Sequence, residues 1–266
     1  MHNPNRLWFA GITPRSAWFC CKYCCQCGCG SRSVCRSLFY VIKRMNDLIK
    51  KTFIGSIQLI IGLGFMLFAP AWTFDFWQAW VYLLIFSIST GLIVIYLYTH
   101  DSKLLSRRLN RIEKEDSQRK IQFLIYITYL VLFVVSSLDH RFLWSNVPFS
   151  MVILGDVFVA IGYLIIFFVL KENTFAASTI EVSSDHKVIS TGLYAIIRHP
   201  MYLGGIVLLL GTPMALGSWW GMLPFVFITF FIVLRLLDEE KFLSQGLSGY
   251  NEYCQKTRYR LVPLVW

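Results

Sequence analysis

Apolar residues in this chain come in long unbroken runs, neither alternating as in strands nor confined to one helical stripe. Six of them, 53–72, 77–98, 121–138, 149–170, 201–217 and 218–237, last about 17–22 residues with at most one charge each. A helix needs roughly 20 such residues to cross the hydrocarbon of a bilayer. The pattern predicts an all-α, polytopic membrane protein with five to six transmembrane helices. Only Gly217 and Ser218 divide the last two runs, so these form a C-terminal helical hairpin that either crosses somewhat short or stops below the far surface.

Composition sharpens the picture. With 56% hydrophobic, 17% aromatic and 15% charged residues in 266, a water-soluble domain is excluded. Charge gives orientation, because short loops rich in Lys and Arg stay cytoplasmic. Residues 1–52 hold 9 Lys/Arg, 99–120 hold 7, 171–200 hold 3 and 235–266 hold 5, leaving only Arg141 of the 25 for the opposite face. Both termini and the loop before Pro200 are therefore expected in the cytoplasm. The net charge of +10 follows from this bias and points to anionic lipid headgroups, not to nucleic acid. Trp72, Trp77, Trp80, Trp144, Trp219 and Trp220 fall near span ends on the other side, an interfacial belt. The short loops favour a bacterial inner membrane over the endoplasmic reticulum.

The N-terminus reads differently. Seven of eight cysteines lie between Cys20 and Cys35, and residues 1–44 carry seven Lys/Arg and no acid. Cys21 with Cys24, or Cys24 with Cys27, has C-x2-C spacing, but no second well-spaced pair follows, so no metal site is assigned. S-acylation near the membrane is one alternative, and an upstream extension from a wrong start codon ahead of Met45 is favoured over both. The chain then divides into a cysteine-rich basic extension (1–44), irregular or mis-assigned, four transmembrane helices (45–170) and a C-terminal core (171–266).

Between spans two and three, Leu104, Leu105, Leu109 and Ile112 make an apolar stripe among charges, either a helix lying on the membrane surface or a solvated loop. Asp139 and Arg141 are expected to satisfy each other or the headgroups. Asp156 lies about 10 Å into its span at 1.5 Å per residue, where a carboxylate wants a partner, most simply a helix-packing hydrogen bond.

The candidate chemistry sits in HKVISTGLYAIIRHPMYLG, residues 186–204, and in RLLDEE, residues 235–240. Pro200 suits the first turn of a helix, which places Arg198 and His199 at an N-terminus whose amides favour an anion. Gly204, Gly205 and Gly211 then allow close packing on a neighbouring helix. Arg235 and Glu239 are four residues apart and share a helical face, a salt bridge ending a helix or half of a site. The closing segment GYNEYCQKTRYRLVP is aromatic and basic and able to fold back over them.

Those segments together resemble the isoprenylcysteine carboxyl methyltransferase family, which is related to membrane phospholipid methyltransferases. The resemblance is specific over about 171–266 and mostly hydropathic over 45–170. It implies an S-adenosylmethionine pocket facing the cytoplasm and a lipophilic acceptor, methylated on the carboxylate of an isoprenoid or isoprenylcysteine-like substrate. Carried over position by position, His186, Lys187, Val188 and Ile189 match the stretch that approaches the cofactor, followed by Tyr194 and by His199, Pro200, Met201 and Tyr202. Glu239 matches a cofactor-contacting acid and Arg235 the residue facing the substrate carboxylate. The chemistry is consistent: a sulfonium gains from an aromatic face such as Tyr194 or Tyr202, the cofactor's ammonium from Glu239, and its carboxylate from His199 and helix amides. A carboxylate acceptor is already ionised near neutral pH and needs no general base. An amine acceptor is less well matched to Arg235. A sterol-reductase-like oxidoreductase using NADPH shares the closing segment, but Glu239-Glu240 and the complete RHPMYLG weigh against it. No G-x-G-x-x-G follows a strand, so a doubly wound nucleotide fold is excluded.

Overall fold

The computed structural model describes residues 32–109, 116–174, 188–263 and 265–266, with side chains of the first helix described from Asp47 onward. Its helices are α1 (Arg32–Ala71), α2 (Trp77–His100), α3 (Ser102–Leu109), α4 (Asp116–Phe142), α5 (Phe149–Glu172), α6 (Pro200–Ala215), α7 (Met222–Gly246) and α8 (Tyr250–Lys256), with a 3-10 turn at Gly192–Ala195. The described residues form no strand. Four helices are long and apolar enough to cross a membrane, Asp47–Ala71, Trp77–His100, Gln118–Phe142 and Phe149–Glu172, and Pro200–Ala215 is a shorter apolar helix. The chain is thus an all-α, multi-span membrane protein, with α6 and α7 as the expected C-terminal hairpin.

Two compact units divide the chain, Met1–Gly55 and Ser56–Trp266. Within the first, α1 begins at Arg32, inside the stretch expected to be irregular, so residues 32–44 are helical. The cysteines from Cys20 to Cys29 lie outside the described residues. Further along this helix the Thr52 hydroxyl donates to the Leu48 carbonyl at 2.8 Å.

In the second unit the spanning helices are apolar on nearly all sides, so burial is decided by which face meets a neighbour. The core joins Leu67, Phe76, Tyr82, Phe133, Leu208 and Ile228, while Phe65, Trp72, Leu92, Phe123 and Phe149 stay exposed, as a lipid-facing surface requires. Between α5 and α6 the backbones nearly touch. A Cβ at Gly155 would lie 2.3 Å from the Ala215 nitrogen, at Gly162 2.6 Å from the Leu208 Cβ, and at Gly211 2.5 Å from the Gly155 oxygen. Small residues allow this approach, which matters where lipid removes the hydrophobic drive between helices. Gly204 takes part, but Gly205 does not, since nothing lies within 4 Å of a Cβ there.

At the hairpin turn Gly217 adopts a left-handed φ of 70°. Asp139, 1% exposed, accepts hydrogen bonds from the Ser145 amide and hydroxyl and from the Ser218 hydroxyl. It therefore ties α4 to the turn instead of pairing with Arg141, whose guanidinium lies over Trp72 and Phe142. The stripe after α2 is helical as far as Leu109, and Ile112 lies outside the described residues: Asp101 accepts from the Leu104 amide at 2.9 Å, and Leu104 and Leu105 are buried. Asp156 has no hydrogen-bond partner among the described residues, against the expectation of a helix-packing bond.

Candidate functional site

The charged end of α7 meets the start of α6, the 3-10 turn, α4 and the closing segment. Pro200 opens α6 as expected, at its first helical position. Just before it, the Arg198 and His199 amides donate to the Tyr259 and Arg260 carbonyls at 2.9 and 3.0 Å. Ile197 and Tyr259 form an isolated parallel bridge, so the tail does fold back over the mouth. These two amides are consequently occupied by carbonyls and not offered to an anion.

Two sets of side chains result, because adjacent Glu239 and Glu240 project about 100° apart on one helix. In the first set Tyr202 links the pair read from sequence. Its hydroxyl accepts from Arg235 Nε at 3.2 Å and donates to Glu239 Oε2 at 2.6 Å. Arg235 is 6% exposed, and its Nη1 donates to Gln122 Oε1 of α4. One turn away, Gln118 donates to Asp238. A guanidinium buried at the edge of the hydrocarbon requires such partners.

The second set gathers on Glu240. Its Oε1 takes Arg198 at 3.1 Å and His199 Nε2 at 3.4 Å, and its Oε2 takes Arg260 at 2.7 Å. Burial raises the carboxyl pKa, but hydrogen bonds from His199, Arg198 and Arg260 outweigh it and bring it down to about 2. Arg198 also donates to the Thr257 and Cys254 carbonyls at 2.7 and 2.8 Å, so it fastens α8 and the tail to α6.

Tyr194 stands in the 3-10 turn. Its hydroxyl accepts from Asn173 at 2.9 Å and its carbonyl from the Tyr253 hydroxyl at 2.8 Å. Burial first, and then the charge of Glu239, push its phenol up to about 12, although the Asn173 hydrogen bond opposes this. It therefore stays neutral at any physiological pH. Gly192 has a φ of 57°, and a Cβ there would meet the Glu172 side chain at 3.2 Å.

Of the residues singled out from sequence, the structure brings together Arg235, Tyr202 and Glu239. His199 instead joins the Glu240 cluster. Pro200 is buried and Met201 half-buried in α6, while Val188 and Ile189 lie half-buried in the strandless segment before the turn. His186 and Lys187 lie outside the described residues. Sequence reasoning missed the partnerships of Gln122 and Asn173 and the setting of Glu240 among Arg198, His199 and Arg260. Only the last left a signal, in the basic RYR of the tail.

The model of the phospholipid methyltransferase family matches residues 150–248. The protein-S-isoprenylcysteine O-methyltransferase of Schizosaccharomyces pombe is 32% identical over 31% of this chain and 36% of its own length. Protein-S-isoprenylcysteine O-methyltransferase B of Arabidopsis thaliana is 27% identical over 51% of this chain and 67% of its own. The likeness is to the isoprenylcysteine carboxyl methyltransferases and, through the family model, to the phospholipid methyltransferases. Family likeness extends to another chemistry: the mouse Delta(14)-sterol reductase TM7SF2 is 27% identical over 33% of this chain. The chain spans 22% of the length of that reductase and 36% of the fission-yeast protein. A solved eukaryotic intramembrane Ras methyltransferase covers 99% of both chains at 16% identity, with a TM-score of 0.42 on which no argument rests.

Proposed function

We propose that the chain is an integral-membrane, S-adenosylmethionine-dependent methyltransferase acting on the carboxylate of an isoprenoid or isoprenylcysteine-like lipophilic substrate. The observation that carries the reading is the Arg235–Tyr202–Glu239 chain, a buried cation and a carboxylate held at fixed separation by one hydroxyl. The likeness to isoprenylcysteine and phospholipid methyltransferases suggests the reaction type. The donor set fits the cofactor: Glu239 suits an ammonium group, and the faces of Tyr202 and Tyr194 suit a sulfonium. When bound, that cofactor supplies an electrophilic methyl group. Val188, Ile189, Met201 and Pro200 would line its approach.

Arg235 would take the acceptor carboxylate, since a guanidinium can engage both oxygens in one plane. The acceptor arrives ionised, so the protein's remaining task is to align an oxygen with the methyl carbon, catalysis by proximity and orientation. His199, which the family likeness puts near the cofactor, has a further part here. It braces Glu240, and through it the tail over the pocket. Both termini and this pocket would face the cytoplasm, by the Lys/Arg bias. The relatives named above are eukaryotic, which favours the endoplasmic reticulum over a bacterial inner membrane.

A lipid amine is the alternative acceptor, and it sits poorly beside a buried guanidinium. NADPH-dependent reduction is the second reading, and the likeness to the mouse sterol reductase is what favours it. One experiment separates them. In a thermal shift of detergent-purified protein, S-adenosylhomocysteine at 100 times its dissociation constant should add about 2.7 kcal/mol of stability. The shift should vanish in Glu239→Ala. Stabilisation by NADPH instead would move the assignment to a reductase, and stabilisation by neither would leave the family motifs without turnover.

A further inference from the structure

The face of α7 opposite Arg235 and Glu239 carries a second cavity. Leu237, Lys241 and Ser244 recur at i, i+4 and i+7, about half a turn around the helix from the first set. Together with Tyr250, Asn251 and Cys254 of α8 and with Glu240 and Arg260 they line an open cleft of about 290 Å³. Tyr250 is 5% exposed, and its buried hydroxyl has only the Cys254 thiol, a weak hydrogen-bonding group, beside it among the described residues. A buried polar group left in this state costs stability, so a ligand that satisfies it is favoured.

The chemistry of that ligand follows from the lining. Lys241 and Arg260 contribute two positive charges, and both oxygens of Glu240 are already engaged by Arg198, His199 and Arg260. Asn251 and Tyr250 add neutral donors, while the Ser244 hydroxyl is already committed to the Lys241 carbonyl at 2.8 Å. Several donors and excess positive charge in a small volume suit the oxygens of a phosphate group. Its source follows from the rest of the helix face. Leu223, Phe227, Phe230, Leu234 and Leu237 continue the same side of α7 away from the cavity, and all are exposed. An acyl chain laid along that stripe brings its headgroup to Lys241. Basic pockets at the ends of spanning helices hold anionic lipid headgroups in this manner.

We propose that this cavity binds the phosphate headgroup of an anionic phospholipid, held as a fixed lipid and not as the methyl acceptor. The site is separate from the Arg235–Tyr202–Glu239 chain and stands or falls independently of it.

The test titrates full-length protein in neutral detergent with dioleoyl phosphatidic acid, dioleoyl phosphatidylcholine and inorganic phosphate, reading the unfolding midpoint. A saturable upward shift is expected with phosphatidic acid alone. Lys241→Glu, an exposed position whose lipid-free midpoint should stay put, should weaken it about tenfold. Tyr250→Phe should also weaken binding, without lowering the lipid-free midpoint. Equal shifts with phosphatidylcholine would overturn headgroup recognition. Phosphate acting alone would mean a free-anion site, and wild-type lipid affinity in both variants would put the lipid elsewhere.

Discussion

Tyr202 and Glu239 are joined by a 2.6 Å hydrogen bond, with Arg235 donating to the same hydroxyl from the other side. The phenol oxygen is thus both donor and acceptor between opposite charges, and Glu239 cannot swing without breaking it. Tyr202→Phe keeps the ring and removes both bonds. Hydrogen bonds to charged groups contribute about 2 kcal/mol, so affinity for S-adenosylhomocysteine should fall about thirtyfold, with a parallel loss of turnover. Calorimetric titration checks this. Unchanged affinity would mean that Glu239 is held by something other than Tyr202.

Arg235 is predicted to act through its shape as well as its charge. Arg235→Lys keeps the charge but loses the planar fork and at least one of the contacts to Tyr202 and Gln122. Turnover should drop at least tenfold, roughly 1.4 kcal/mol in the barrier, while the shift with S-adenosylhomocysteine survives. Gln122→Leu should move in the same direction, more weakly. Full activity in the lysine variant would remove Arg235 from the acceptor site.

Glu240 makes a pH prediction. Its carboxyl lies at about 2 in the folded protein against an ordinary 4.5. A lowered folded value means stability that is fully present above 4.5 and lost as pH falls towards 2, where the folded form too takes up the proton. The midpoint of wild type should therefore exceed that of Glu240→Gln by a constant margin above pH 5, and the two should converge below it. Breaking a buried ion cluster on one side costs about 3 kcal/mol, enough to see in a thermal melt. A margin that widens on acidification would contradict the assignment.

How far these features were legible in the sequence depends on their range. The apolar runs fixed the helices, because a bilayer demands length and hydrophobicity that nothing else in the chain imitates. Helical spacing alone paired Arg235 with Glu239. It could not show that Tyr202 lies between them, since that contact crosses from α6 to α7. Gln122 is one amide among the first residues of its run, and only the approach of α4 to α7 gives it a role. The surroundings of His199 were hidden for a related reason: its amide looks free at a helix N-terminus until the tail, some sixty residues on, supplies the Arg260 carbonyl, and its ring meets Glu240 only because α7 lies beside α6. The glycines divide likewise. Gly204 and Gly205 read alike in sequence, yet only one faces α5.

That difference is testable. Gly162→Ala would put a Cβ 2.6 Å from the Leu208 Cβ and 2.7 Å from the Gly204 oxygen. Overpacking of this kind costs about 1–3 kcal/mol, so the unfolding midpoint should fall by several degrees. Gly205→Ala, with open space around it, should be neutral or slightly stabilising by helix propensity. Equal behaviour of the two would mean that α5 and α6 do not pack at these glycines.

Asp156 gives the opposite sign. It is 7% exposed within α5, and neither carboxylate oxygen has a hydrogen-bond partner among the described residues. An acid in a span costs about 2.5–3.5 kcal/mol on insertion scales when nothing compensates it. Asp156→Asn removes the charge and nearly preserves the shape, while Asp156→Leu also removes the polarity. Both should raise the unfolding midpoint, the leucine more, by an amount corresponding to about 1 kcal/mol or above. A fall in both would show that the carboxylate has a bound water or cation worth more than its desolvation, which would make this span a second place to look for chemistry.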